Sequence, residues 1–245
     1  MKVQDKLYME KMDLIKHGPI TIVAFGASFT HGAVGLGEID YESVYWNRLR
    51  KKLNAVRNYV PINIINAGIG GVTATQSLER MDSQVLIHRP DLIIVDFALN
   101  DVNDPLQQYL ASLRLIFEKS IESGAQVIFM TPNMMNTYVG DAVPDSLRDY
   151  AFITAEYQNS GKVDLYLQKA CLLAEEMQVS VCDCYSKWKK MSETQDTTKL
   201  LANGINHPIR EMHQLFADSL FDVIMQNEIK EIEKEQLDDN TMYEK

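Results

Sequence analysis

The sequence predicts an α/β protein built on a parallel β-sheet. Apolar, strand-like runs alternate with segments of helical periodicity along the chain, which is typical of βαβ crossovers that place helices on both faces of a sheet. The chain has 245 residues, of which 46% are hydrophobic, enough for a substantial core. We therefore expect one sizeable α/β domain.

Five apolar runs are the candidate strands, and the helix between the third and fourth runs has the clearest boundaries. Asp104 is placed as its N-cap and Pro105 as its first helical residue. Apolar residues then recur at spacings of three, four and seven until Gly124 ends the helix. The candidate strands are Ile20 to Phe25, Ile62 to Ile65, Leu92 to Phe97, Gln126 to Met130 and Val179 to Cys182.

Two segments interrupt the alternation, and the ends of the chain differ from its middle. Residues 32–41 and 132–161 are expected to be long loops, which in compact domains are commonly lids or binding loops. We divide the chain into an N-terminal extension over residues 1–19, a domain over residues 20–226 and a polar, mostly acidic tail over residues 227–245. The tail is interpreted as a solvated helix, a frayed end or a subunit contact, and the last of these leaves a homo-oligomer open.

Composition restricts the partners and the compartment. The formal charge of −10 disfavours binding to nucleic acid or to an anionic membrane surface. The first eighteen residues contain no uninterrupted apolar stretch typical of a secretory signal. Cys182 and Cys184 lie two apart in the fifth apolar run and would share one strand face, so with Cys171 we interpret them as buried free thiols and not as a metal or redox site. These features favour a cytoplasmic protein.

Three residues of possible catalytic importance follow the first three strands. Ser28 follows the first strand in FGASFTHG, Gly71 the second in NAGIGG, and Asn100 the third in ALND. Because ligands bind at the carboxyl ends of parallel strands, we expect these residues to meet at one edge. The Ser28 N–H, the Gly71 N–H and the Asn100 amide are candidate donors to the oxyanion of an acyl-transfer intermediate.

A serine nucleophile needs a base, and His207 is the histidine best placed to supply one. His17 precedes the first strand, and His88 is expected at the opposite edge of the sheet. His213 is interpreted as a surface or packing residue of the last helix, and His31 as a loop residue or a substrate contact. His207 precedes Pro208 in the loop sequence GINHP, which leaves it as the candidate base.

The four motifs together resemble the SGNH hydrolases, also called the GDSL esterase/lipase family, from about Ile20 to about Phe221. The resemblance implies a flavodoxin-like three-layer α/β/α sandwich with a five-stranded parallel sheet. It also implies that Ser28 is the nucleophile and His207 the general base. Gly71 and Asn100 would complete the oxyanion hole with the Ser28 amide.

The chain departs from the family pattern at several positions. Ala27 stands where the family has Asp in its GDS block, and Ala98 where GxND has Gly. The final block is usually DxxHP, but Gly204 stands three residues before His207, with Asn203 one residue earlier. Loss of the triad acid costs about 10⁴ in turnover in a serine protease. Either a Ser/His dyad operates, with Asn203 or a main-chain carbonyl holding the imidazole, or the chain is a weak or inactive binding module.

Other chemistries have little support in the sequence. GIGG follows a strand but does not complete the G-x-G-x-x-G of a dinucleotide-binding loop. Neither HExxH nor a comparable cluster of metal ligands is present, although Asp101 and Asp104 lie beside Asn100. We therefore predict a cytoplasmic hydrolase that needs no cofactor or metal and acts on small, short-chain carboxylic esters through an acyl-serine.

Overall fold

The fold is described by a computed structural model that covers residues 1–225, so the predicted tail over residues 227–245 lies outside the described residues. All five predicted strands are confirmed within this part of the chain, and they form one parallel sheet in the order β2-β1-β3-β4-β5. The strands are β1 (Ile20–Gly26), β2 (Ile62–Gly68), β3 (Leu92–Asp96), β4 (Gln126–Met130) and β5 (Ser180–Cys182).

The helices form two layers around the sheet and confirm the predicted α/β/α class. The helices are α1 (Val3–Leu7), α2 (Lys11–His17), α3 (Ser28–His31), α4 (Tyr45–Val56), α5 (Ala74–Ser77), α6 (Met81–Gln84), α7 (Leu106–Glu122), α8 (Arg148–Asn159), α9 (Lys162–Glu176), α10 (Cys184–Ser192) and α11 (213–225). Short 3-10 turns span Leu78–Arg80, Leu86–His88, Asp101–Asn103, Asp145–Leu147, Thr197–Leu200 and Arg210–Met212. In one layer Tyr109 of α7 stacks on Tyr166 of α9, and in the other Trp188 of α10 packs near Phe216 of α11.

The strand order creates a switch point between β1 and β3. All five residues of β3 are buried, as expected of a central parallel strand covered on both faces. From β1 the chain first runs outward to β2 and then crosses back to β3 on the other side of β1. Crevices at such switch points are the usual ligand sites of open α/β sheets.

The N-terminal segment predicted as an extension packs on the sheet through α1. Val3 and Leu7 are fully buried in the main core. Between them, Lys6 forms an ion pair with Asp91, with Nζ 2.8 Å from Oδ1 and both side chains mostly buried. Asp91 lies just before β3, so α1 covers the end of the sheet where the strands begin.

The start of α7 differs from the sequence prediction. Pro105 is the N-cap residue with an extended ψ of 136°, and the helix begins one residue later. Asp104 is also extended, and its carbonyl accepts a hydrogen bond from the Tyr166 hydroxyl at 2.5 Å. The predicted N-cap at Asp104 is therefore wrong, since proline fixes φ but leaves ψ free to stay extended. The predicted end is confirmed, because Gly124 follows the helix with a φ of 81°.

The segment 132–161 is not one long loop, because it contains α8. The apolar periodicity that would predict this helix is missing from the sequence, since its buried face carries small and polar residues. Its apolar Phe152 is instead 61% exposed. The buried residues of α8 are Ala151, Thr154, Ala155 and Gln158.

Cys182 and Cys184 do not share a strand face as predicted. Cys182 ends β5 and Cys184 begins α10, with both side chains buried and their sulfur atoms 3.7 Å apart. Asp183 lies between β5 and α10 and is the N-cap of the helix, because its side chain accepts the N–H of Ser186. The helix therefore begins at Cys184. Cys171 of α9 is half-buried, and all three thiols are free.

Candidate active site

Ser28, Gly71 and Asn100 lie together at the carboxyl edge of the sheet. Ser28 is the first residue of α3, directly after β1, while Gly71 follows β2 and Asn100 follows β3. All three line one cleft of about 570 Å³. The shared edge predicted from the strand pattern is therefore present, and it lies at the switch point between β1 and β3.

His207 enters the same cleft from the loop that follows α10 and its 3-10 turn. Its Nε2 lies 2.9 Å from the Oγ of Ser28, although 179 residues separate them in sequence. A bridge between Leu201 and Pro208 closes the loop, and the N–H of Ala202 donates to the His207 carbonyl at 2.7 Å. The main chain of His207 is thus fixed within this loop.

The other ring nitrogen of His207 faces a main-chain carbonyl. Nδ1 lies 3.2 Å from the carbonyl oxygen of Val34. A carbonyl can only accept a hydrogen bond, so this contact requires a proton on Nδ1 and leaves Nε2 free to accept the Ser28 hydroxyl. The arrangement fixes the tautomer that a general base opposite Ser28 needs.

Asn203 supports the loop of His207 and does not contact its ring. Its Oδ1 accepts the main-chain N–H groups of Ile205, Asn206 and His207, at 3.0, 2.9 and 2.9 Å. Its Nδ2 donates to the side chain of Asn206. Of the two candidates for holding the imidazole, the main-chain carbonyl is the one in contact.

The absence of an acid three residues before His207 has a steric basis. Gly204 has a φ of 67°, in the left-handed region that side chains rarely adopt. A Cβ on Gly204 would lie 2.8 Å from Cγ2 of Val143 and 3.3 Å from its amide nitrogen. The backbone of this loop is therefore built for glycine at position 204.

The candidate oxyanion donors are joined by hydrogen bonds between their loops. The Nδ2 of Asn100 donates to the carbonyl of Val72 at 2.9 Å, and Oδ1 of Asp101 accepts the N–H of Ala74 at 2.8 Å. An amide nitrogen carries two hydrogens, so Asn100 keeps a second donor for a ligand. Gly71, next to Val72, has a φ of 79°.

Comparison with known proteins places this constellation in a family. A model of the GDSL-like lipase/acylhydrolase family matches residues 24–215, most of the chain. The chain belongs to this family. The match spans all four residues that suggested the resemblance, from Ser28 to His207.

Solved structures of other GDSL-like proteins share the fold. Axe2, an acetylxylan esterase from Geobacillus stearothermophilus, superposes with a TM-score of 0.64 at 21% identity, covering 84% of this chain and 94% of its own. A protein from Parabacteroides merdae described as a GDSL-like lipase gives a TM-score of 0.65 at 18% identity, covering 84% and 95%. At such identities the likeness concerns the fold alone. No curated protein matches this chain by sequence.

Catalytic mutants of Axe2 show how that enzyme differs from this GDSL-like chain. They replace a serine, an aspartate and a histidine, and the aspartate lies three residues before the histidine. In this chain the residue three before His207 is Gly204. The Val34 carbonyl faces the imidazole nitrogen that a triad acid would hold.

The environment of His207 favours its neutral form. Burial lowers the pKa of the imidazole below its usual 6.5, and the hydrogen bond to the Val34 carbonyl partly opposes this effect. A neutral imidazole is the form that can accept a proton. The local electrostatics therefore keep the imidazole neutral to a lower pH than is usual for histidine.

Two buried carboxyl groups lie beneath the site. Oδ2 of Asp96, at the end of β3, accepts the Thr30 hydroxyl at 2.8 Å, and Thr30 lies 2.9 Å from the Tyr45 hydroxyl. Burial raises the pKa of Asp96 to about 7. Burial likewise raises the pKa of Asp101 to about 7. Each group is therefore far more easily protonated than an exposed aspartate.

The other histidines have separate positions. His213 is a packing residue: it is buried, its ring stacks on Phe29 with centroids 4.7 Å apart, and Nδ1 accepts the N–H of Tyr45. Burial lowers its pKa to about 3. His31 belongs to α3 and lines the cleft. His17 lies in α2, before β1, and His88 ends a 3-10 turn before β3.

Sequence reasoning missed the partner of the imidazole, Val34, and an arginine that binds the same loop, Arg210. Val34 acts through its main-chain carbonyl, which has no residue signature. Arg210 donates to Asp40, whose loop also carries Val34. Over residues 1–225, no helix is long and apolar enough to cross a membrane, and no three His, Cys, Asp or Glu side chains are grouped to hold a metal ion.

Proposed function

We propose that this GDSL-like chain hydrolyses carboxylic esters, with Ser28 as the nucleophile and His207 as the general base. The observation that carries the proposal is the 2.9 Å contact between Ser28 Oγ and His207 Nε2. A serine hydroxyl is a poor nucleophile until a base removes its proton during attack. Nε2 is the unprotonated nitrogen when Nδ1 donates to Val34.

The proposed reaction has two steps. Ser28 attacks the ester carbonyl while His207 takes its proton, and His207 then returns that proton to the departing alcohol, which leaves an acyl-serine. Water then attacks the acyl carbonyl while His207 takes a proton from it, and His207 returns that proton to Ser28 Oγ as the carboxylic acid leaves. The amide of Ser28, the amide of Gly71 and the side chain of Asn100 hold the oxyanion in both steps.

The Val34 carbonyl takes over part of the role of a triad acid in this proposal. It orients the imidazole and fixes its tautomer, as an acid would. A neutral carbonyl stabilises the transient imidazolium less than a carboxylate does, because it carries only a partial negative charge. We therefore expect a working Ser28–His207 dyad with a lower turnover than a triad of the same fold.

We further propose that the substrate is a small ester with a short acyl chain and a polar alcohol group. The cleft of about 570 Å³ includes five amide side chains in its lining, and amides hydrogen-bond readily to hydroxyl groups. The described activity of Axe2 makes an acetylated carbohydrate the natural first candidate. The amide residues are Gln76, Asn100, Asn103, Asn203 and Asn206.

A binding module without turnover is the second candidate function. It is favoured by the glycine at position 204, where the backbone and Val143 leave no room for an acid. In that case the cleft would recognise an acylated ligand and release it unchanged. The short contact between Ser28 and His207 argues for the enzyme.

Ester hydrolysis by the native chain and by Ser28→Ala separates the two functions. The substrates are p-nitrophenyl acetate, butyrate and octanoate at pH 7 to 8, followed by an acetylated xylo-oligosaccharide. We expect turnover of the acetate that disappears in Ser28→Ala, and little turnover of the octanoate. Ester binding by a folded native chain, without any turnover that depends on Ser28, would instead establish the binding module.

A further inference from the structure

Residues 32–40 form a small hairpin that carries the hydrogen-bond partner of His207. The N–H of Val34 donates to the Glu38 carbonyl at 3.0 Å, and the N–H of Asp40 donates to the Gly32 carbonyl at 2.8 Å. The buried side chain of Val34 anchors the outgoing leg. The tip is exposed, because Leu36 is 65% accessible. The returning strand of the hairpin, which carries Glu38 and Asp40, is held by a separate contact.

Arg210, in the loop of His207, makes this contact. Its Nε donates to Oδ2 of Asp40 at 2.7 Å, and its Nη2 donates to the carboxylate of Glu38. Oδ1 of Asp40 accepts the N–H groups of Glu42 and Ser43, both at 2.9 Å, which fixes the carboxylate that Arg210 binds. These bonds and the ion pair with Arg210 lower the pKa of Asp40 to about 2, so it is ionised at neutral pH.

The loop of His207 and the hairpin of Val34 are thus joined by a second set of contacts. Arg210 lies three residues after His207, and its carboxylate partners lie four and six residues after Val34. We propose that Arg210 is a positioning residue, whose ion pairs with Glu38 and Asp40 hold the hairpin so that the Val34 carbonyl orients His207. Arg210 can have this role in catalysis only if His207 is the base, as proposed above.

The test compares Arg210→Gln with native protein and with Arg114→Gln. Arg114 pairs with Glu176 between α7 and α9, and its exposure of 41% matches the 43% of Arg210. For Arg210→Gln we expect kcat on p-nitrophenyl acetate to fall about 10- to 100-fold with little change in KM, because small misplacements of catalytic groups cost this much. Arg210→Lys should recover part of the loss, and Arg114→Gln should behave as native.

A second readout follows the imidazole itself and needs no turnover. Nitrogen chemical shifts of neutral His207 report which ring nitrogen carries the proton. Native protein should show the proton on Nδ1, and Arg210→Gln should show more of the form with the proton on Nε2. Glu38→Gln should cause a smaller change in the same direction, because Asp40 still pairs with Arg210. Adding Glu38→Gln to Arg210→Gln should cause little more, since the pair is already lost.

The outcomes separate this inference from the proposed function. If turnover disappears in Ser28→Ala but Arg210→Gln keeps native kcat and the native tautomer, Arg210 has no positioning role. If kcat falls while the tautomer stays on Nδ1, Arg210 acts by another route and the inference also fails. If native turnover does not depend on Ser28, the proposed function fails, while the tautomer of His207 still tests the hairpin contact.

Discussion

The side chain of Val143 lies where a side chain on Gly204 would have to go. A Cβ at position 204 would stand 2.8 Å from Cγ2 of Val143, on a backbone whose φ of 67° already disfavours L-residues. The glycine that replaces the acid of the final motif thus allows Val143 to pack against this loop. With no acid at position 204, the imidazole of His207 is paired with the main-chain carbonyl of Val34, from another part of the chain.

Gly204→Asp should therefore not create a triad. We expect no rise in kcat and a loss of stability of at least about 1–2 kcal/mol, from the positive φ and the clash together. Gly204→Ala and Gly124→Ala separate these costs, because Gly124 has a φ of 81° with nothing within 4 Å of its Cβ position. Urea unfolding should show the larger loss at position 204, and an active, stable Gly204→Asp would contradict this account.

Asn203→Ala should weaken both the loop and the activity. The substitution removes the acceptor of three main-chain N–H groups, and leaving such donors unpaired costs about 1–3 kcal/mol. Asn203→Asp keeps an acceptor at this place and should retain most of the stability and kcat. Thermal unfolding and turnover of the two variants test this. A kcat above native in Asn203→Asp would show that position 203 holds the imidazole after all.

Turnover should persist to lower pH than an ordinary histidine would allow. Burial lowers the pKa of His207, and the base must be neutral to act, so activity is lost only as pH falls through this lowered pKa. We expect the acid limb of the profile of kcat/KM, which reports the free enzyme, to lie below pH 6.5. The measurement is hydrolysis of p-nitrophenyl acetate from pH 4 to 9, with folding checked at each pH. A limb above 6.5 would show that another group controls activity.

Asn100→Ala should reduce kcat by about two to three orders of magnitude if the amide is an oxyanion donor. An interaction made only in the transition state changes kcat and leaves KM near its native value. Steady-state kinetics with the acetate ester distinguish this from a binding defect. Because Asn100 also donates to the Val72 carbonyl, the thermal midpoint of the variant should be measured. An unchanged kcat would remove Asn100 from the mechanism.

Asp96→Asn should stabilise the protein more at high pH than at low pH. The pKa of the folded-state carboxyl, about 7, lies above its usual 3.8, so native protein loses stability between these values as the unfolded chain releases its proton first. This increase in the pKa of the buried carboxyl corresponds to a loss of roughly 4 kcal/mol in the free energy of unfolding of the native protein. Urea unfolding at pH 4, 6 and 8 should show the stability of the variant rising relative to native. A difference that does not change with pH would contradict the raised pKa.

The sheet could be predicted from the sequence because its strands are short apolar runs. β3 is buried along its whole length, and its residues are apolar up to the final Asp96. α8 could not be predicted in the same way, because it buries Ala151 and Thr154 while Phe152 faces outward. Hydrophobic periodicity reports a helix only where large apolar residues form the buried face.

The candidate site was predictable where its residues lie in recognisable motifs. Ser28, Asn100 and His207 have characteristic motifs, and the structure brings them into one cleft with Gly71. The partner of the imidazole is a backbone carbonyl, which every residue has, so no sequence pattern singles out Val34. Its position depends on the fold of a hairpin 173 residues away in the chain.

The separation between His207 and its partners also has a consequence for synthesis of the protein. Ser28 and Val34 belong to the first part of the chain made by the ribosome. Their shared partner, His207, is synthesised 179 and 173 residues later. Domains of this size generally fold as units once their distant segments are present. A nascent chain therefore lacks the contact between Ser28 and His207 through most of translation, and we expect the proposed ester hydrolysis to begin only when residue 207 has left the exit tunnel.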